Sequence, residues 1–322
     1  MTQPASLAEL ARHASTPLPE KPLLVPWVRP AELGDGLLEL RAAETFYPLR
    51  HPLLAAAFRA VAARLDGRHD LDSLCQDLPA GLEASTVTFL LKTLRANGLL
   101  LAGEELGGGG ENGRPRRLFF SSFTVHPRAV ERRLAAAVVQ VVGPDRLVGR
   151  IAGQLRAAGF SRAAERAAAD PEADDDADLL IACADVPAPA FFSHVNDLAL
   201  EAGRPWLRAA AHGDRAWIGP LVLPGESACF ACLQARERAS AQGSGEAPQL
   251  DPGALGAFAP QEDLLALQAA AEASRFLGRF APPATVGQVY ELSAASPAAR
   301  PHPVLRVPGC PACGSRRGGA GA

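Results

Sequence analysis

Cys229-Phe230-Ala231-Cys232 and Cys310-Pro311-Ala312-Cys313 decide how the rest of this chain is read. Each is a C-x-x-C pair. Together they supply four thiolates, the donor set that a structural zinc ion takes in a tetrahedron. The spacing therefore predicts that the end of the chain folds back onto its middle, with Cys229, Cys232, Cys310 and Cys313 as zinc ligands. Four thiolates saturate the ion, so the site is expected to be structural, with no open position for water or substrate. The other two cysteines, Cys75 and Cys183, stand singly in apolar surroundings and read as inert buried thiols.

The chain around these pairs has 322 residues, 48% of them hydrophobic. That is enough for one large or two ordinary domains. The formal net charge of −3 gives no global basic field to draw nucleic acid. The N-terminal MTQPASLAELARHASTP lacks a basic region followed by an apolar core, and no long apolar run follows. The expected location is the cytoplasm, away from membranes, where a reducing milieu favours metal over disulfide at C-x-x-C.

Outward from the first pair toward the N-terminus, residues 1–20 read as a flexible arm. Three strand-like runs follow, around Leu23–Val28, Leu37–Leu40 and Thr45–Leu49, with a turn at Gly34-Asp35-Gly36. Pro48 cannot donate to a ladder, so the third run is expected at a sheet edge. Leu54, Phe58, Val61 and Leu65 then recur at helical spacing. Asp70 can cap a short second helix, and a third spans about 85–96 before Asn97-Gly98. Three strands and three helices over 21–102 predict a winged-helix unit. Residues 21–105 carry nine Lys/Arg against eleven Asp/Glu, which opposes DNA binding, where phosphate neutralisation dominates affinity. Capture of an extended peptide is the other use of this shape. The expected groove residues are Thr45, Phe46, Tyr47 and Leu49 on the edge strand, with Thr86, Phe89, Leu90 and Thr93 on the third helix. The strand meander, LLAAAFRAVAARLDGRHDLDSLCQDL and the helix ending in LRANGLLL resemble the PqqD-like recognition element. That resemblance implies binding of leader peptides of ribosomally made, modified natural products.

Residues 103–117, with Gly107 to Gly110 at their centre, read as a Gly-rich flexible linker. Beyond it, a helix near 128–136, a buried strand at 137–142, Gly143 and a helix over 147–158 open a Rossmann-like unit. The dinucleotide fingerprint is degenerate. Gly143 meets the first position, Asp145 and Val148 occupy the next two, and Gly149 falls one place late. An aspartate in that turn would repel phosphate. Residues 161–178, ending Asp174-Asp175-Asp176, read as a solvated acidic loop. A second buried strand, 179–184, ends at Asp185.

GRPWLRAA, RAWIGPLVLPGESACFACLQ and the terminal VPGCPACG resemble the ThiF/MoeB family over residues 118–322. The resemblance implies a Rossmann-like α/β domain with a zinc clasp. It also implies an ATP-dependent adenylating site, to which Asp185 corresponds by context. Yet no lysine follows Lys92, no cysteine lies between Cys232 and Cys310, and the glycine turn is broken. Arginine does not place its donors as lysine does. Catalytic residues and a bound ATP are therefore not expected. The two halves together resemble the "C" or ocin-ThiF-like partner of azoline-forming cyclodehydratases. This implies a non-catalytic scaffold that binds a precursor's leader and presents it to a separate YcaO cyclodehydratase for thiazoline or oxazoline formation. The resemblance leaves a homodimer open. The competing expectation is an active ThiF-type adenylating enzyme acting on a peptide or carrier-protein C-terminus.

Overall fold

The structure, a computed structural model, describes residues 17–42, 45–107, 110–167, 176–241, 258–293 and 296–314. Most of the expected arm, Asp174 and Asp175 lie outside the described residues. The chain divides into two compact units, residues 1–130 and 131–322.

In the first unit, β2 (Val28–Gly34), β3 (Leu37–Ala42) and β4 (Thr45–Leu49) form an antiparallel meander in the order β2-β3-β4. Gly34 and Gly36 at positive φ make its first turn, where side chains are disfavoured. β1 (Pro22–Leu24) separates from this meander and pairs with β5 (Leu100–Ala102). The expected single run from Leu23 to Val28 is therefore two strands in two sheets. α1 (Pro52–Val61) starts with proline at its first position, and His51 Nδ1 accepts from the Leu53 N–H at 3.2 Å. The Asp70 carboxylate caps the short α2 (Leu71–Leu74), accepting from the Ser73 N–H at 2.8 Å. α3 (Ala84–Ala96) ends at Asn97, with Gly98 at φ +73°. Phe58, Val61, Val87, Leu90, Leu91 and Leu94 meet Leu38 and Leu40 in one buried cluster.

The expected linker is replaced by ordered structure. A 3-10 turn covers Gly103–Leu106, and α4 (Gly110–Ser121) follows. Leu106, Leu118 and Val125 pack on the first unit's core, and the Trp27 Nε1–H donates to Ser121 Oγ at 3.2 Å. Glycine content argued for a linker, but these apolar side chains find a core to bury in, which outweighs glycine's backbone entropy. The unit boundary accordingly falls after Val130, not at the expected 102 and 118.

α5 (Pro127–Ala136) precedes a seven-stranded mixed sheet in the second unit. Its order is β12-β11-β10-β9-β8-β6-β7. The strands are β6 (Val138–Gly143), β7 (Arg162–Ala167), β8 (Leu179–Ala184), β9 (Trp206–His212), β10 (Arg215–Val222), β11 (Gln288–Ser293) and β12 (Ser296–Pro303). β7, β6, β8 and β9 are parallel, and the rest continue antiparallel. β6 and β8 are buried throughout, as their unbroken apolar runs predict. α6 (Asp145–Ala158), α7 (Pro189–Glu201), α8 (Phe230–Ala241) and α9 (Ala259–Gly278) pack on the sheet. The acidic loop expected from 161 instead begins with edge strand β7, whose register on β6 runs from Arg162↔Val138 to Ala167↔Gly143. Its small and charged residues suit a strand with one free edge. Among the described residues, no helix is long and apolar enough to cross a membrane.

Candidate peptide groove and cysteine clasp

β4 lies at the edge of its sheet, where Pro48 costs no ladder bond. Its register on β3 sets the direction of each side chain. Leu49 pairs with Leu38, Tyr47 with Leu40 and Thr45 with Ala42. All three partners are buried, so Thr45, Tyr47 and Leu49 share the inward face, by strand alternation. Phe46 and Pro48 take the opposite face, and Phe46 is 56% exposed.

The groove expected from sequence is only partly brought together. A cavity of about 650 Å³ lies beside Thr45 and Tyr47 and is also lined by Trp27, Ala42, Arg95–Gly98 and residues 121–125. Burial lowers the pKa of Arg95, against the fields of Glu105 and Glu104, and its Nη1–H donates to the Leu100 carbonyl at 2.9 Å. The cavity thus offers aromatic walls, hydroxyls and one cation. Thr86, Phe89 and Thr93 share one face of α3 at i, i+3 and i+7, with Phe89 40% exposed, but they do not line the cavity. Leu90 and Leu49 are corrections: both are buried in the core at 0% and 5% exposure and present nothing to a partner. Leu90 falls at core spacing with Val87, Leu91 and Leu94, so its burial is a consequence of helical period. Trp27, Arg95 and the 121–125 segment were missed by sequence reasoning. The aromatic run Phe119-Phe120-Ser121-Ser122-Phe123 was the available signal; the Phe119 and Phe123 rings lie 5.3 Å apart, and both are about half exposed.

The cysteine pairs do come together. Cys229 Sγ lies 3.7 Å from Cys310 Sγ and 3.9 Å from Cys232 Sγ, and Cys232 Sγ lies 3.6 Å from Cys313 Sγ. All four sulfurs are within 4.8 Å of one another, in buried residues. Zinc–sulfur bonds of about 2.3 Å in a tetrahedron require sulfurs about 3.8 Å apart, so the residues fit such an ion. The first pair sits where a turn enters α8; the second lies in a knuckle of turns at the end of the described chain. The Val307 N–H donates to Cys232 Sγ at 3.3 Å, and the Gly314 N–H closes the knuckle on the Cys310 carbonyl at 2.7 Å. A Cβ on Gly314 would sit 2.6 Å from the Cys310 backbone. Burial pushes the Cys229 thiol up. Burial opposes ionisation of Cys310 too, yet the Cys313 and Ala312 N–H groups and the neighbouring thiols bring it down to about 7. A divalent cation would draw all four to thiolates and neutralise their mutual repulsion. Cys183 is fully buried, and burial raises its pKa far above the ordinary thiol, which makes it inert.

At the β6–α6 turn, Gly143 has φ +154°, and a Cβ there would meet the Cys183 carbonyl at 2.3 Å. This glycine is required for close passage of β6 against β8. Pro144 takes the N-cap position, and Asp145 puts a carboxylate in the first turn of α6. Gly149 lies on the helix with nothing closer to an added Cβ than Glu165 at 4.0 Å. Asp185 stands 3.9 Å from Arg146, whose guanidinium is engaged by the buried Glu262 at 2.5 Å. Arg150 pairs with Glu262 at 3.2 Å and with Asp263.

No family model matches the chain, and no curated protein matches it. Solved structures do match in fold. The heterocyclase TruD superposes with a TM-score of 0.70 at 21% identity, covering 92% of this chain and 43% of TruD. A heterocyclase in complex with substrate and cofactor gives 0.70 at 20% identity, over 93% of this chain and 40% of that one. E. coli MccB gives 0.66 at 16% identity, over 92% of this chain and 97% of MccB. The chain thus spans under half the length of the heterocyclases and nearly all of MccB. It has the fold these proteins share.

Proposed function

We propose that this chain is a leader-peptide-binding scaffold in the biosynthesis of ribosomally made, modified peptides. Its first unit, read as a PqqD-like winged helix, grips the leader. A separate YcaO cyclodehydratase then forms the thiazoline or oxazoline rings. The observation that carries this reading is the edge strand β4, whose inward Thr45 and Tyr47 border a cavity of about 650 Å³. An extended peptide can add to that edge through main-chain hydrogen bonds and place alternate side chains in the cavity. Tethering raises the effective concentration of the remaining peptide at the partner's active site. The fold shared with TruD, a heterocyclase, and with MccB, solved together with MccA, supports a precursor peptide as partner. The four-cysteine site is read as structural zinc that fastens the chain's end to its middle.

Coverage of MccB over 97% of its length, a protein also solved with ATP, favours a second reading as an adenylating enzyme. Against it, no lysine follows Lys92, Asp145 occupies the turn where phosphate would approach, and Arg146 and Arg150 are held by Glu262 and Asp263. ATP–pyrophosphate exchange with a candidate precursor peptide separates the two. The scaffold reading expects no exchange by the isolated protein and saturable binding of the labelled leader. Robust exchange dependent on a peptide carboxylate contradicts it.

A further inference from the structure

On the α7/α8 face of the large sheet, a second cavity of about 260 Å³ opens beside the turn that follows β8. Its wall includes Arg208 in the middle of β9, Phe192 of α7, Phe230 and Glu237 of α8, and His212 and Trp217. β9 alternates, so Trp206, Arg208, Ala210 and His212 point to this face while Leu207, Ala209 and Ala211 point to the other. An arginine in the middle of a central strand is costly to bury unless something answers its charge. Here its guanidinium lies over two aromatic faces, with the central carbon 5.1 Å from the Phe192 ring centre and 5.7 Å from that of Phe230. The two rings lie side by side, 5.6 Å apart, and accept none of the guanidinium's N–H bonds, so its donors must be answered elsewhere. They are not: Nε is buried without a hydrogen-bond partner, and among the described residues no carboxylate forms an ion pair with the group. Burial brings its pKa down to about 10, against the field of Glu237, so it remains a cation at neutral pH. Beside it, burial and then the Arg208 charge lower the His212 pKa, and the ring lies 4.6 Å from Trp217.

We infer that this cavity binds a small carboxylate with an aromatic or apolar body, its carboxylate on the Arg208 guanidinium edge and its body against Phe192, Phe230 and Trp217. A guanidinium edge recognises a carboxylate bidentately, and the aromatic walls take the apolar remainder. Glu237, on the exposed side of the same cavity, favours a ligand that also carries an ammonium group over a simple anion. The carboxylate can come from a free amino acid or from the end of a peptide chain. The cavity belongs to the second unit and β4 to the first, and the inference is independent of leader binding at β4.

The test is calorimetric titration of the full chain with phenylalanine, N-acetylphenylalanine, phenylalaninamide and a short peptide ending in phenylalanine with free or amidated terminus. The inference expects saturable binding of the acids and at least tenfold weaker binding of the amides. Preference for phenylalanine identifies a free amino acid as the source; preference for the free-terminus peptide identifies a chain end. Arg208→Gln should lose acid binding. Glu237→Gln, a change at an exposed position, should weaken phenylalanine and strengthen N-acetylphenylalanine, so the inference can be tested even where the Arg208 variant does not fold. Equal binding of acids and amides, or no saturable binding of any of these probes at millimolar concentration, overturns it.

Discussion

Tyr47 and Phe46 are adjacent residues with opposite roles. The pairing of Tyr47 with Leu40 turns its ring toward the core side and the cavity, while Phe46 faces outward at 56% exposure. Sequence placed both on the edge strand but could not choose between faces, because a two-residue period has no sign until a partner strand is known. Tyr47→Asp is expected to weaken leader binding at least tenfold, about 1.4 kcal/mol, with Phe46→Asp changing it far less. Fluorescence anisotropy of a labelled leader checks this, and the reverse order of effects would move the groove to the outer face. Gly143 carries a different lesson. Sequence singled it out as the remnant of a phosphate-binding turn, whereas its contact with the Cys183 carbonyl makes it a packing requirement. Gly143→Ala should cost about 1–3 kcal/mol through overpacking, read as a lower midpoint in denaturant melts.

Among elements, the meeting of the two cysteine pairs was legible because four potential ligands of one ion must converge on one point whatever lies between them. Its two halves are 81 residues apart in sequence and 3.7 Å apart at Cys229 and Cys310. On the zinc reading, wild type carries about one zinc per chain by emission spectrometry, and Cys313→Ser should lose it and lower the melting temperature; no zinc in the wild type, or full retention with unchanged melting, contradicts a structural zinc role. The parallel strands β6 and β8 were equally readable, since buried parallel strands are continuous apolar runs. β12 was not. It holds Pro297, Pro301 and Pro303, a composition that argues against strand except at an edge, and its edge position is known only from the sheet order. α4 failed for the converse reason. Glycine and Pro115 suggest a linker, and only the burial of Leu106 and Leu118 on the first core shows otherwise.

For the whole molecule, that last correction moves the boundary to Val130 and makes a stability prediction. A fragment ending at 130 should unfold cooperatively. One ending at 102 loses Leu106, Leu118, Val125 and the Trp27–Ser121 hydrogen bond, and should be less stable by about 2 kcal/mol or more, as urea denaturation would show. The order of the large sheet was half legible: alternating strand and helix signals announced its parallel side, while α9, β11 and β12 were not among the sequence expectations, although Leu265, Ala266, Ala269, Ala270 and Ala273 recur at helical spacing in α9. The central claim is that a leader peptide adds to the free edge of β4. Amide hydrogen exchange of the full chain, with and without saturating leader, tests it most directly. The account predicts slowed exchange at Thr45, Phe46, Tyr47 or Leu49 on leader binding (Pro48 has no amide hydrogen), with β8 unchanged because its amides are already paired within the sheet. Saturation with no protection at Thr45–Leu49, or protection confined to the second unit, would contradict it.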